Sequence, residues 1–141
     1  MARPLTKGAL VTHEARTVLV VEDRADQREP AVRALREVGF VVEIAVDGGQ
    51  AVKQALKHAP DVIVLDVSLP VMTGIEALRH VRSNGKRRPH VIMVSGQVDG
   101  RTRQLAFEAG CDQYIIKPAG VDTLLSAVQA YFTKRDGRET A

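Results

Sequence analysis

Hydrophobic positions in the chain gather into five short runs: TVLVV at 17–21, VVEIA at 41–45, DVIVL at 61–65, HVIMV at 90–94 and QYIIK at 113–117. They are rich in valine and isoleucine, and four of them are nearly continuous rather than alternating, as strands covered on both faces should be. The segments between them carry apolar residues at helical spacing. The first places Ala31, Val32, Leu35 and Val38 on one side and stops at Gly39, with Asp26 and Glu29 spaced as a capping pair and Pro30 in the first turn. The second spans about 49 to 58, with Val52, Ala55, Leu56 and Ala59 facing inward, and the third starts near Gly74 with Ile75, Leu78 and Val81. A fourth follows Asp99 and presents Leu105, Ala106 and Ala109 before Gly110. The last begins after Gly120, puts Asp122 in its first turn and aligns Val121, Leu125, Val128 and Phe132, with Leu124 and Tyr131 widening the stripe.

The order is (βα)5. Alternation of this kind predicts an α/β fold with a mostly parallel sheet, helices on both faces and right-handed crossovers. The 141 residues suit one domain. It occupies 16–133, between a flexible arm at 1–15 and a polar tail at 134–141, and no output domain is expected. No apolar run reaches membrane-spanning length and no secretion signal is visible, so the expected location is cytoplasmic, without a membrane partner. Cys111 has no second cysteine to pair with and reads as a buried, inert thiol. The net charge of +3 comes from scattered basic residues without zinc-finger spacing or a helix-turn-helix, so direct nucleic-acid binding is not expected. His13, His58, His80 and His90 show no zinc-ligand spacing.

Charge changes the picture at the strand ends. The first strand finishes in Glu22 and Asp23, the third in Asp66, the fourth in Ser95-Gly96 and the fifth in Lys117-Pro118. Open parallel sheets bind ligands outside the carboxyl ends of their strands, near the point where strand order reverses. If these strands are central neighbours, three carboxylates, a hydroxyl and an ammonium share one small volume. Three adjacent carboxylates repel, and a hard divalent cation such as Mg2+ neutralises them. A carboxylate beside such an ion can attack a phosphoryl group to give an acyl phosphate, with metal and lysine steadying the equatorial oxygens. Asp66 is the central candidate for that nucleophile. Glu22 and Asp23 are then metal holders, and Ser95 is placed to donate to a phosphoryl oxygen. The glycine-free turn EDRADQRE at 22–29 is hostile to a flavin or dinucleotide phosphate.

Taken together, Glu22-Asp23, Asp66 with Leu69-Pro70 and Gly74, Ser95-Gly96, Tyr114 and Lys117-Pro118 resemble the signature of the receiver domain of two-component response regulators, over about residues 16 to 133. The resemblance implies a flavodoxin-like three-layer fold with strand order 2-1-3-4-5. It also implies phosphorylation of Asp66 by a histidine kinase or histidine phosphotransfer protein, in a magnesium-dependent reaction that such domains catalyse in part themselves. Asp23, Asp66 and the backbone carbonyl of Ser68 would ligate the metal directly and Glu22 mainly through water. Lys117 would contact the phosphoryl group across a cis bond to Pro118, and Ser95 and Tyr114 would form the switch pair. Output would pass to a downstream protein or a second copy through the fourth helix, fifth strand and fifth helix, with Leu124 and Tyr131 contributing apolar area. The competing reading is a receiver-like protein-binding module that works without phosphorylation. Arg24 beside the acidic pair, Ser68 and Gln97 flanking the route of the hydrolytic water, and Ala119 in place of a larger apolar residue depart from the common pattern.

Overall fold

The computed structural model describes residues 15–85 and 87–140, with the side chains of 138–140 left aside; the arm at 1–14 lies outside the described residues. Five strands, β1 (Thr17–Val21), β2 (Val41–Ala45), β3 (Val62–Asp66), β4 (His90–Ser95) and β5 (Gln113–Ile116), alternate with helices α1 (Ala25–Glu37), α2 (Gly48–His58), α3 (Gly74–Asn84), α4 (Gly100–Ala109) and α5 (Val121–Thr140). All strand pairs are parallel and the sheet order is β2-β1-β3-β4-β5. Strand order reverses between β1 and β3, so the ends of both open onto one crevice.

The three central strands explain the unbroken apolar runs. β3 is buried at every position, and Val91 to Val94 of β4 are buried as well. Alternate side chains feed two cores, one on each face of the sheet. Leu19, Ile63, Leu65, Val91 and Met93 pack under α2, α3 and α4, while Val18, Val20, Val62, Val64 and Ile92 pack under α1 and α5 with Leu35, Val128 and Phe132. Phe40 stacks on Phe132 with ring centroids 5.2 Å apart, fastening the end of α1 to α5. Cys111 is buried, and that burial pushes its thiol up to about 11.

Several local expectations need correction. α1 starts at Ala25 with Arg24 as an N-cap that offers no side-chain hydrogen bond, so Asp26 and Glu29 do not cap it and Pro30 lies inside the helix. Its far end is a Schellman motif. Gly39 at φ 102° donates to Arg36, and Phe40 donates to the Leu35 carbonyl. In α2 the buried face is Gly48, Ala51 and Ala55, whereas Leu56 is 43% exposed and Ala59 is the left-handed C-cap. The cause is close approach: a side chain at Gly48 would overlap the Met72 backbone, so the small residues face inward and Leu56 turns toward the rim. α5 runs on through Thr140, so the positions from 134 that read as a polar tail extend the last helix. Arg135 bonds Asp61 at 3.2 Å and Asp136 takes Arg16 at 2.7 Å, which ties this polar stretch to the foot of the sheet.

Gly74 is the tightest constraint near the crevice. Its N–H donates to the Val67 carbonyl at 2.8 Å, and a β-carbon there would overlap the Asp66 carbonyl oxygen and sit 3.0 Å from Met93. Gly74→Ala should therefore lower the unfolding free energy in urea by about 1–3 kcal/mol through overpacking. Gly100→Ala, at the open start of α4, should leave it unchanged or slightly raised.

Candidate functional site

Each charged side chain at the crevice is delivered by the end of a strand that burial has already fixed. Glu22 and Asp23 follow β1 directly, and the Glu22 N–H still pairs with the Ala45 carbonyl of β2 at 3.2 Å. Asp66 closes β3 opposite Val94. Lys117 follows β5, where its N–H donates to the Ser95 carbonyl at 2.8 Å, and its bond to Pro118 is cis. Glu22 and Asp66 are buried, with 7% and 6% of their surface exposed, while Asp23 is open to solvent.

The side chains meet. One oxygen from each of Glu22, Asp23 and Asp66 lies within 4.8 Å of the others. Lys117 Nζ donates to Glu22 Oε1 at 3.0 Å, Asp66 Oδ2 at 3.0 Å and Gln27 Oε1 at 2.8 Å. The second oxygen of each buried acid is also held, Glu22 Oε2 by the Arg24 N–H at 3.2 Å and Asp66 Oδ1 by the Ser68 N–H at 3.2 Å. Three carboxylates against one ammonium leave two negative charges, and an all-oxygen donor set of that charge suits a hard divalent cation such as Mg2+.

The electrostatics follow from burial. Desolvation raises the Glu22 carboxyl above its ordinary range, with the Asp66 charge adding to it and the bonds from Lys117 and Arg24 opposing it. For Lys117, burial works to lower the ammonium, but the hydrogen bonds and charges of Glu22 and Asp66 prevail and hold it above its usual value. A partly buried lysine between two buried acids is costly to remove, because the acids would then face each other uncompensated.

Ser95 and Tyr114, both buried, do not hydrogen-bond each other directly. Ser95 is fully buried, and its Oγ accepts the Gln97 N–H at 2.9 Å. The Tyr114 hydroxyl donates to the Gln97 carbonyl at 3.1 Å, with the ring 9% exposed and the Arg103 guanidinium 6.0 Å from its centroid. Gln97 thus joins the pair through its backbone, by its N–H on one side and its carbonyl on the other. Ser68 lies on the loop after β3 and engages Asp66 through its backbone.

Other residues at the site carried no clear mark in the sequence. Gln27, in the first turn of α1, supplies the shortest contact of Lys117, and Arg28 donates to the Glu22 carbonyl at 3.0 Å. Both interrupt no periodicity, and only the packing of α1 against β1, β2 and α5 brings them in. Arg24, placed by the sequence beside the acidic pair, turns its guanidinium toward Asp26 at 3.5 Å and reaches Glu22 through its backbone N–H. Ala119 lines a cleft of about 600 Å³ between α1 and α5, floored by Val20, Val64 and Val94 and rimmed by Glu22, Asp66 and Lys117. Leu124 lines the same cleft, and Tyr131 stacks on His90 with centroids 4.5 Å apart, so both belong to the α1/α5 side rather than to an apolar output face.

Known proteins share this arrangement. The profile of the response regulator receiver domain matches residues 18–129. The transcriptional regulatory protein PrrA of Mycobacterium tuberculosis is 36% identical over 124 residues, covering 88% of this chain and 53% of that protein. The chain thus spans about half the length of the curated relatives it matches. Among solved structures, the chemotaxis response regulator CheY4 of Vibrio cholerae superposes with a TM-score of 0.77 at 31% identity, covering 83% of this chain and 98% of that one. The receiver domain of the sensor histidine kinase PA1611 from Pseudomonas aeruginosa PAO1 has a TM-score of 0.74 at 30% identity, covers 83% of this chain and 97% of its own, and holds a magnesium ion in its active-site cleft. With the sheet order, the acidic cluster and its salt-bridged lysine all in place, the chain belongs to the response regulator receiver domain family.

Proposed function

We propose that this domain is a phosphorylation-driven switch in which Asp66 accepts a phosphoryl group from a phosphohistidine of a kinase or phosphotransfer protein. The observation that carries the reading is the Lys117 ammonium bridging Asp66 and Glu22 at the edge of a three-carboxylate cluster. An oxygen of Asp66 attacks phosphorus in line, the P–N bond breaks with its electron pair going to the imidazole nitrogen, and the imidazole takes up a proton from water. Asp66 keeps free lone pairs for this attack although both oxygens already accept a hydrogen bond. Lys117 exchanges its bond to Asp66 Oδ2 for one to a phosphoryl oxygen, and the bond from the Ser68 N–H holds the carboxylate in orientation. Asp23, Asp66 and the Ser68 carbonyl would hold Mg2+ directly and Glu22 through water, and the ion would supply charge neutralisation of the phosphoryl oxygens when bound.

The signal then leaves through Gln97. When Ser95 turns its hydroxyl toward a phosphoryl oxygen, it gives up the Gln97 N–H, and the residue that moves also carries, in its next peptide group, the carbonyl on which Tyr114 rests. The two packings differ in which of these bonds are made, as a population shift requires. The surface that senses this is formed by α4, β5 and α5. Val98 is 76% exposed, Phe107 40% and Ile116 39%, an apolar set suited to a downstream protein or a second copy.

Acetyl phosphate with Mg2+ should yield a hydroxylamine-sensitive adduct on the wild type and none on Asp66→Asn; an equal yield on the mutant, by mass spectrometry, would sink the assignment. Titration with Mg2+ alone should show Asp23→Asn losing roughly tenfold or more in affinity and Glu22→Gln distinctly less, and the opposite order would exchange their roles. Tyr114→Ala should take up phosphate at a rate close to wild type but lose the phosphorylation-dependent change in amide hydrogen exchange over α4 and β5. Identical changes in both proteins would show that the tyrosine transmits nothing.

A further inference from the structure

Lys117 has three N–H donors, and all three are used: by Glu22, by Asp66 and by Gln27. These acceptors differ in what happens to them during phosphorylation. Asp66 becomes the acyl phosphate and yields its oxygen as an acceptor, so that bond must pass to the phosphoryl group. Glu22 belongs to the acidic cluster, and its oxygens are drawn toward the metal and its waters. Gln27 is neutral, sits outside the cluster and keeps the same chemistry before and after transfer.

Its backbone is also set firmly within the first turn of α1. Gln27 and Arg28 both close the first turn on the Arg24 carbonyl, at 3.1 and 2.9 Å, and Arg28 locks that turn to β1 through the Glu22 carbonyl at 3.0 Å. The amide oxygen is therefore presented from a fixed backbone on α1, on an exposed side chain that accepts the bond from Lys117. Lys117 reaches across from a long, freely rotating stem whose side chain is 24% exposed and flanked by the open cleft lined by Ala119. A lysine in that setting needs an anchor that does not change partners, since immobilising its stem otherwise costs rotamer entropy at the moment of transfer.

We propose that Gln27 is a positioning residue for phosphoryl transfer: its side-chain oxygen holds the Lys117 ammonium in place while the bonds to Asp66 and Glu22 are exchanged for bonds to the phosphoryl group. The inference rests on the phosphoacceptor reading of Asp66 and adds to it a residue from α1 that acts only through the lysine.

The test compares wild type with Gln27→Met, which keeps the length and removes the acceptor, and Gln27→Glu, which keeps an acceptor oxygen. Each is titrated with Mg2+ alone, then with beryllofluoride in saturating Mg2+, and phosphorylated with acetyl phosphate. Gln27→Met should bind beryllofluoride and gain phosphate about tenfold more weakly and slowly, the loss expected for one hydrogen bond to a charged group, with Mg2+ affinity within about twofold of wild type. Gln27→Glu should recover most of the loss. Unchanged beryllofluoride affinity in Gln27→Met would overturn the proposal, and so would an equal loss in Gln27→Glu or a parallel fall in Mg2+ affinity, either of which marks a general packing role. A wild type that forms no adduct with either reagent would overturn the Asp66 reading itself, a result separable from the others because it needs no variant.

Discussion

The Lys117 ammonium is the contact on which the crevice depends. Two buried acids on neighbouring central strands, with a third beside them, repel one another in a setting where water does little to screen them. The ammonium bridges Glu22 and Asp66 and so ties the end of β5 to the paired ends of β1 and β3, neither of which β5 hydrogen-bonds in the sheet. The raised Lys117 and raised Glu22 are two sides of this balance: burial penalises both charges, and their pairing decides which of them gains. It leaves the cluster two charges short of neutrality, which is the property that makes it receptive to a divalent cation.

That charge arrangement is affordable because the strands beneath it are rigid. β3 and most of β4 are covered on both faces, and the glycine at the start of α3 lets the following loop lie directly on the Asp66 backbone. The acids are therefore held by packing that does not involve them, so their orientation survives a change of ligand. The opposite holds at Gln97. Its backbone is attached to the fold through Ser95 at the N–H and Tyr114 at the carbonyl, beside a glycine with open space around its α-carbon. A site that must be stiff where it reacts and loose where it reports has these two properties on adjacent strands.

The chain's departures from the common receiver pattern have structural counterparts. Ala119 and the small residues near it leave a cleft between α1 and α5 where these helices diverge from the Phe40–Phe132 contact. Lys117 lines that cleft, partly buried, and takes an extra acceptor from α1. Arg24 does not add a cation to the pocket, because its side chain turns toward Asp26 and only its backbone N–H serves Glu22.

Alternating apolar runs and helical stripes were sufficient to determine the (βα)5 order, the parallel sheet and the placement of Glu22, Asp23, Asp66, Ser95 and Lys117 at strand ends, because burial on two faces writes itself into consecutive residues. The rotation of α2 was misread from the same kind of pattern. Its inward face follows the close approach of Gly48 to the Met72 backbone, and Leu56 lost its place in the core to Ala51. The polar end of α5 is likewise helical because Arg135 and Asp136 find partners in Asp61 and Arg16, residues far away in the chain. The Gln27–Lys117 contact and the bonds by which Gln97 links Ser95 to Tyr114 were illegible for the same reason. A polar residue on an amphipathic helix looks alike whether it faces water or a lysine on another strand. Local periodicity decides which residues are buried, but the partner of a polar side chain is set by how separate elements pack, and that is decided only in the tertiary structure.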